Sequence, residues 1–179
     1  MKKSLMLVFT TFMLLISVAG NATDTRNKIK TTTKIKHMKK NKVVGCWTLV
    51  SGYLDNHGAH IPILGPHPAG MLVFTENLHF IVIVHNPDIP NIASGDRATA
   101  TPDEYKTAVT NSLGVYGTYT VDENGEFGEE HVLGSTFQNM NGHTRGKNEI
   151  SVKVEGNKLT ESQKIADGVA VHLEWELSK

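Results

Sequence analysis

The nine residues Val169-Ala170-Val171-His172-Leu173-Glu174-Trp175-Glu176-Leu177 decide the fold class. Val169, Val171, Leu173, Trp175 and Leu177 fall on one face, and Ala170, His172, Glu174 and Glu176 on the other. A period of two is the signature of a half-buried strand. The pattern extends upstream. Over 149–154, Ile150, Val152 and Val154 alternate with Ser151 and Lys153, and the turn Glu155-Gly156-Asn157 leads into a strand over 158–163. Earlier still, 115–121 and 127–133 flank the turn Asp122-Glu123-Asn124-Gly125, and 70–75 and 79–85 form a hairpin around Glu76-Asn77-Leu78. Phe80-Ile81-Val82-Ile83-Val84 is an unbroken run of β-formers, which predicts a strand covered on both faces. The first strand occupies 43–54 and ends at Asp55-Asn56-His57-Gly58. The three prolines within 61–68 lack N–H donors, so that segment is expected to be an extended loop and not a central strand.

One helix interrupts the strands. Thr101 is a capping residue, Pro102 suits the first helical position, and Glu104 completes a capping box. Tyr105, Ala108, Val109, Ser112 and Leu113 then share a face, with Gly114 placed to end the helix. The sum is an all-β domain of about eight antiparallel strands and one short α-helix. Hairpin connections favour up-and-down closure into a barrel, which removes exposed edges and encloses room for one small ligand.

The first 42 of the 179 residues are of a different kind. Lys2 and Lys3 precede an apolar run over 5–18 that is the length of a signal-peptide core and short for a membrane span. Gly20-Asn21-Ala22 offers small side chains for cleavage, so 1–22 is expected to be a removed signal peptide, with an uncleaved anchor as the alternative. Residues 23–42 hold eight basic residues against the single acid Asp24, and are expected to form a solvated basic linker. Residues 43–179 hold eight basic residues against seventeen acids, so the overall net charge of zero hides a basic arm on an acidic body. An acidic body argues against nucleic acid as a partner, because phosphate contacts need clustered Lys and Arg. Membrane contact is expected only through the basic linker. Cys46 is the sole cysteine, so no internal disulfide forms, and its place in the first strand predicts a buried, inert thiol.

Gly45-Cys46-Trp47-Thr48-Leu49 carries a Gly-x-Trp motif at the opening strand. Together with Leu64-Gly65-Pro66-His67-Pro68-Ala69-Gly70, Ala93-Ser94-Gly95-Asp96-Arg97, Thr101-Pro102-Asp103-Glu104-Tyr105 and Tyr116-Gly117-Thr118-Tyr119, it resembles the lipocalin-like domain family of bacteria and fungi. The resemblance covers almost all of 43–177 and implies a calycin-type barrel. Two departures stand out. Cys46 takes a place where Thr is expected, and an export signal precedes a domain often found without one. The resemblance fixes a reaction less firmly than a fold.

The candidate binding residues are Trp47, Arg97, Tyr105, Tyr116, Tyr119 and His131. Trp47 and Trp175 lie on the first and last strands, which must meet on closure; they either pack the barrel end or wall a bound ring. Arg97, beside Asp96, either makes a local ion pair or presents a donor fork to a ligand carboxylate. Tyr116 and Tyr119 have opposite parity, so only one of them faces the lumen. His131 could meet His172 across strands, with Glu129 or Glu174 nearby. His79 and His85 are too far apart along a strand to share an ion. His57, His60 and His67 cluster in the Pro-rich segment and could form a weak surface metal site, but tight ligand spacing is missing, so no metal or other cofactor is expected. No nucleophile elbow, phosphate loop or triad spacing is present. The function expected is therefore an exported protein, periplasmic or secreted, that binds a small hydrophobic or amphipathic molecule in the barrel. The alternative is a cyclase- or isomerase-type enzyme moving protons on a small polyketide-like substrate in the same pocket.

Overall fold

A computed structural model describes residues 39–179; the expected signal segment and residues 23–38 of the linker lie outside the described residues. Ten strands form one antiparallel sheet: β1 (Gly45–Asn56), β2 (Ala59–Pro62), β3 (Ala69–Phe74), β4 (His79–His85), β5 (Ser112–Val121), β6 (Phe127–Ser135), β7 (Thr144–Arg145), β8 (Ile150–Glu155), β9 (Lys158–Ala166) and β10 (Val169–Leu177). Helix α1 (Pro102–Thr110) lies between β4 and β5. The strand order is β7-β6-β5-β4-β3-β1-β10-β9-β8, with β2 paired to β1 beside that path. Nine strands thus follow the path where about eight are expected from the sequence. The additional one, β7, is two residues long and shows no alternation to read.

The first and last strands pair, as closure requires: Trp47 stands opposite Leu177, and Leu49 opposite Trp175. The sheet curls into a nearly closed, all-β barrel. One seam remains, between β8 on one side and β6–β7 on the other, where no backbone ladder forms. The inward faces make a single core that includes Trp47, Leu72, Phe80, Val132, Leu159 and Trp175. Each such side chain contributes roughly 1.5–3 kcal/mol on burial.

Aromatic rings fill one end of the barrel. Phe74 meets Tyr119 edge-on at 4.8 Å, and Tyr119 stacks on Phe127 at 6.2 Å. Tyr119 donates its hydroxyl hydrogen to the Thr75 carbonyl (2.8 Å) and accepts from Asn41 Nδ2 (2.8 Å). Asn41 belongs to a segment that runs against the β5–β6 turn. Lys42 N–H donates to the Gly125 carbonyl (2.9 Å), the Lys42 ammonium pairs with Glu126, and Trp47 Nε1 donates to the Val43 carbonyl (2.9 Å). Gly125 has φ +75°, and a Cβ there would fall 2.1 Å from the Lys40 carbonyl oxygen. Gly125→Ala is therefore expected to cost about 1–2 kcal/mol in chemical denaturation and to expose residues 39–43 to protease. A variant with native stability and native protease resistance would show that this approach is not needed.

Three local expectations are corrected. Phe80 and Val84 are buried, but Ile81 and Ile83 are about half exposed on the outer face of β4. A run of β-formers does not by itself supply a second covering layer, and α1 buries none of its own residues. The capping box is present: Thr101 Oγ1 accepts from Glu104 N (3.3 Å), and Glu104 Oε2 accepts from Thr101 N (2.7 Å). The helix nevertheless ends at Thr110 with Asn111 as its cap, short of the expected Gly114. Ser112 and Leu113 are drawn into the ladder opposite His85 and Val84, because sheet pairing outweighs helix propensity there. Cys46 is free and half-buried, less enclosed than expected.

Candidate functional site

The interior site begins with a bulge. Tyr119 stands opposite Glu130 but Val121 opposite Phe127, so β6 carries one extra residue over this interval. Gly128 lies in it, where a Cβ would sit 2.5 Å from Thr120 Oγ1, and that oxygen accepts from Glu129 N (3.1 Å). The extra residue flips the parity of the strand. Phe127 faces inward, and so do Glu130 and Val132, each almost fully buried.

Glu130 is met by Arg145, directly opposite it on β7. Arg145 Nε donates to Glu130 Oε1 at 2.7 Å, and Nη2 lies 2.5 Å from the same oxygen. Across the seam, Arg145 Nη1 donates to Gln163 Oε1 on β9 (2.7 Å), and Gln163 Nε2 donates to Glu161 Oε1 (2.5 Å). Glu161 is only 8 % exposed. It shares the inward parity of Leu159 and Gln163, so alternation carries its carboxylate inside. A polar chain Glu130–Arg145–Gln163–Glu161 therefore bridges the gap that the backbone leaves open. Beside it lies a cavity of about 40 Å³, walled by these four residues and by apolar side chains that include Leu72, Phe80, Leu113 and Met140. That is room for a few water molecules.

Burial pushes the Glu161 carboxyl up to about 7, and the charge of Glu130 adds to the shift. Gln163, Arg145 and the Trp175 indole oppose it. Burial also raises Glu130, with Arg145 working against the rise. Trp175 Nε1 is buried without a hydrogen-bond partner among the described residues; it favours the Glu161 carboxylate by proximity but does not reach bonding geometry. With both carboxylates ionised the cluster carries one excess negative charge. It can bind a polar head group, and Glu161 can exchange a proton near neutral pH.

The six residues singled out from sequence fall in three places. Trp47 and Tyr119 are inside the barrel, both in the packed core, and neither walls the cavity. Burial raises the Tyr119 hydroxyl above its ordinary pKa. Arg97 and Tyr105 come together outside, where Tyr105 donates its hydroxyl hydrogen to the Arg97 carbonyl (2.5 Å) and the Arg97 side chain is exposed. Asp96 does not clamp Arg97; its carboxylate accepts from Ala98 N (2.9 Å). Tyr116 and His131 both face outward. Tyr116 lies against Gly134, where a Cβ would stand 2.4 Å from its ring, and His131 Nδ1 meets Thr144 Oγ1 (2.9 Å). His131 and His172 do not meet, because β6 and β10 are not neighbours; His172 stacks on Tyr53 at 4.9 Å. Among the described residues no three His, Cys, Asp or Glu side chains are grouped to hold a metal.

Glu130, Arg145, Glu161 and Gln163 were not singled out from the sequence. Two signals point to them. Leu159, Glu161 and Gln163 alternate in phase, and Gly128 inside a strand marks a bulge. Arg145 carries no local signal. Among curated proteins, none matches the chain. Residues 44–171 match the family model of the lipocalin-like domain, whose barrel is the architecture found here, and the chain belongs to that family.

Proposed function

We propose that the protein is exported and binds a small amphipathic molecule within the barrel, its polar group on the Glu130–Arg145–Gln163–Glu161 cluster and its apolar part along Leu72, Phe80 and Leu113. The observation that carries this reading is a buried polar cluster bordering an apolar-walled cavity. Buried charges are costly, and a barrel that only needed a core would fill this space with apolar side chains. The cavity as it stands suits a ligand of a few non-hydrogen atoms. Met140, an unbranched and adaptable wall, is the side chain best suited to yield to a larger one. Export is supported by the basic, apolar and small-residue succession of 1–22.

Thermal denaturation of the mature protein against a panel of short-chain amphipathic compounds tests the binding. At least one compound should raise the melting temperature in a concentration-dependent way. Leu113→Phe, which fills the cavity, should abolish the shift. A panel without effect on the parent protein, or shifts that survive Leu113→Phe, would overturn the reading. Mass spectrometry of the secreted or periplasmic fraction tests export, with a chain starting at Thr23 expected.

A further inference from the structure

The buried charge inside the barrel does not balance. Glu130 is matched by Arg145, whose guanidinium is spent on Glu130 and on the Gln163 amide. Glu161 receives one neutral hydrogen bond from Gln163, and among the described residues no cation reaches it within ion-pair distance. Acidic side chains are almost never this buried without a partner. The surroundings supply a second mark of incompleteness. The Trp175 indole N–H, on a residue 1 % exposed, is buried with no hydrogen-bond partner among the described residues, close enough to Glu161 to favour its carboxylate. Two of the rings that wall the space are Phe74 and Phe80, whose faces attract cations. A surplus negative charge and aromatic rings line the same cavity.

We infer that the ligand is a small organic cation, a primary alkylammonium of a few heavy atoms, whose ammonium group pairs with Glu161 while its alkyl part lies against Phe80 and Leu72. This rests on the reading that the barrel cavity is a ligand site, and it names the ligand's charge. An ammonium restores neutrality to the cluster, since Glu130, Arg145, Glu161 and the ligand then sum to zero. A carboxylate ligand would add a second surplus charge to an enclosed space, and a neutral alcohol would leave the first uncompensated. Arg145 is held by two partners on opposite sides of the seam, so it is not free to turn toward an anion.

The test is calorimetric titration of the mature protein at pH 8 with n-propylammonium chloride, 1-propanol and sodium propionate. Propylammonium should bind roughly tenfold or more tightly than propanol, as a charge-assisted hydrogen bond at a buried carboxylate implies. Propionate should bind weakest. Glu161→Gln should abolish the preference for the ammonium over the alcohol. The ammonium's affinity should rise roughly tenfold from pH 6 to pH 8 as Glu161 ionises, and the alcohol's should not. Equal affinity for ammonium and alcohol, or a preference for propionate, would overturn the cation while leaving the cavity as a ligand site. No binding of any of the three would overturn both. If Glu161→Gln does not fold, titrations of the parent protein at pH 6.5 in buffers of different ionisation heat decide the point. Ammonium binding must release protons, and its absence would sink the proposal.

Discussion

Replacing Arg145 with Met is expected to remove about 3–5 kcal/mol of stability at pH 8, because it breaks a buried ion pair by removing one partner. Glu130 is 5 % exposed at its side chain and takes two contacts from the guanidinium. Without Arg145 it becomes an uncompensated buried charge next to a second carboxylate, and the bridge to Gln163 across the seam goes with it. The penalty has a pH signature. Both Glu130 and Glu161 are shifted upward, so acid neutralises them readily. The loss at pH 5 should therefore be well below the loss at pH 8. The double variant Arg145→Met with Glu130→Met should recover most of the stability, because the pair as a whole contributes far less than the cost of orphaning one member. Urea denaturation of the two single variants and the double at both pH values measures this. A loss independent of pH, or a double variant no better than Arg145→Met, would show that Arg145 acts by packing alone.

Glu161→Gln should move stability in the opposite direction. The Glu161 carboxyl titrates at about 7 in the folded barrel against 4.5 for an unperturbed glutamate. A folded value raised above the unfolded one means that the native state holds the proton more tightly. The stability this contributes is complete below about pH 4.5 and is lost as the pH climbs through 7. The amount at stake is on the order of 3 kcal/mol. Gln is neutral throughout and keeps an acceptor oxygen for the Gln163 amide. The variant should match the parent near pH 4.5 and exceed it increasingly up to pH 8. Comparing the two proteins at each pH cancels groups that run the other way, such as Asp122, which is lowered chiefly by the Glu126 backbone N–H. A parent and variant that differ by the same amount at pH 5 and pH 8 would refute the assignment. The gain is also what a binding site predicts, since a residue kept for a ligand is one the fold is more stable without.

The framework of the barrel was open to reading because it rests on local rules. The alternation of Val169–Leu177 returned the last strand with its bounds unchanged, and His79–His85 did the same. Thr101, Pro102 and Glu104 specified the start of α1. Its end was not legible, because the competitor was a ladder to β4 formed from residues far away in sequence. The site was harder to read for a related reason. Counting by twos from Phe127 points Glu129 and His131 into the lumen; a single extra residue near Gly128 turns them out and Glu130 in. Tyr116 and Tyr119 could be set on opposite faces from their parity, but which of them enters the lumen was not legible; Tyr119 is the buried one and Tyr116 is half exposed. Arg145 lies in a stretch without periodicity, and only the seam gives it a purpose. Arg97 and Tyr105 stood out as a pair of recognisable groups, and the structure joins them through backbone and hydroxyl on the outside of the barrel.

The chain is severed in one place and the sheet in another. Strands β1 and β10 are neighbours in mid-sheet, and the Ser178 N–H donates to the Cys46 carbonyl at 2.8 Å, so the two ends of the domain's path run alongside each other. The sheet's own break falls between β7 and β8, across the short connection at 146–149. A chain rearranged to begin at β8 and finish at β7, with β10 spliced to β1, would follow the path of the sheet from one edge to the other. Every strand on that path would then be joined to the one beside it. The natural order instead places its covalent interruption where hydrogen bonding is continuous, and its interruption in hydrogen bonding where the chain is continuous. Each kind of connection thereby spans the gap in the other.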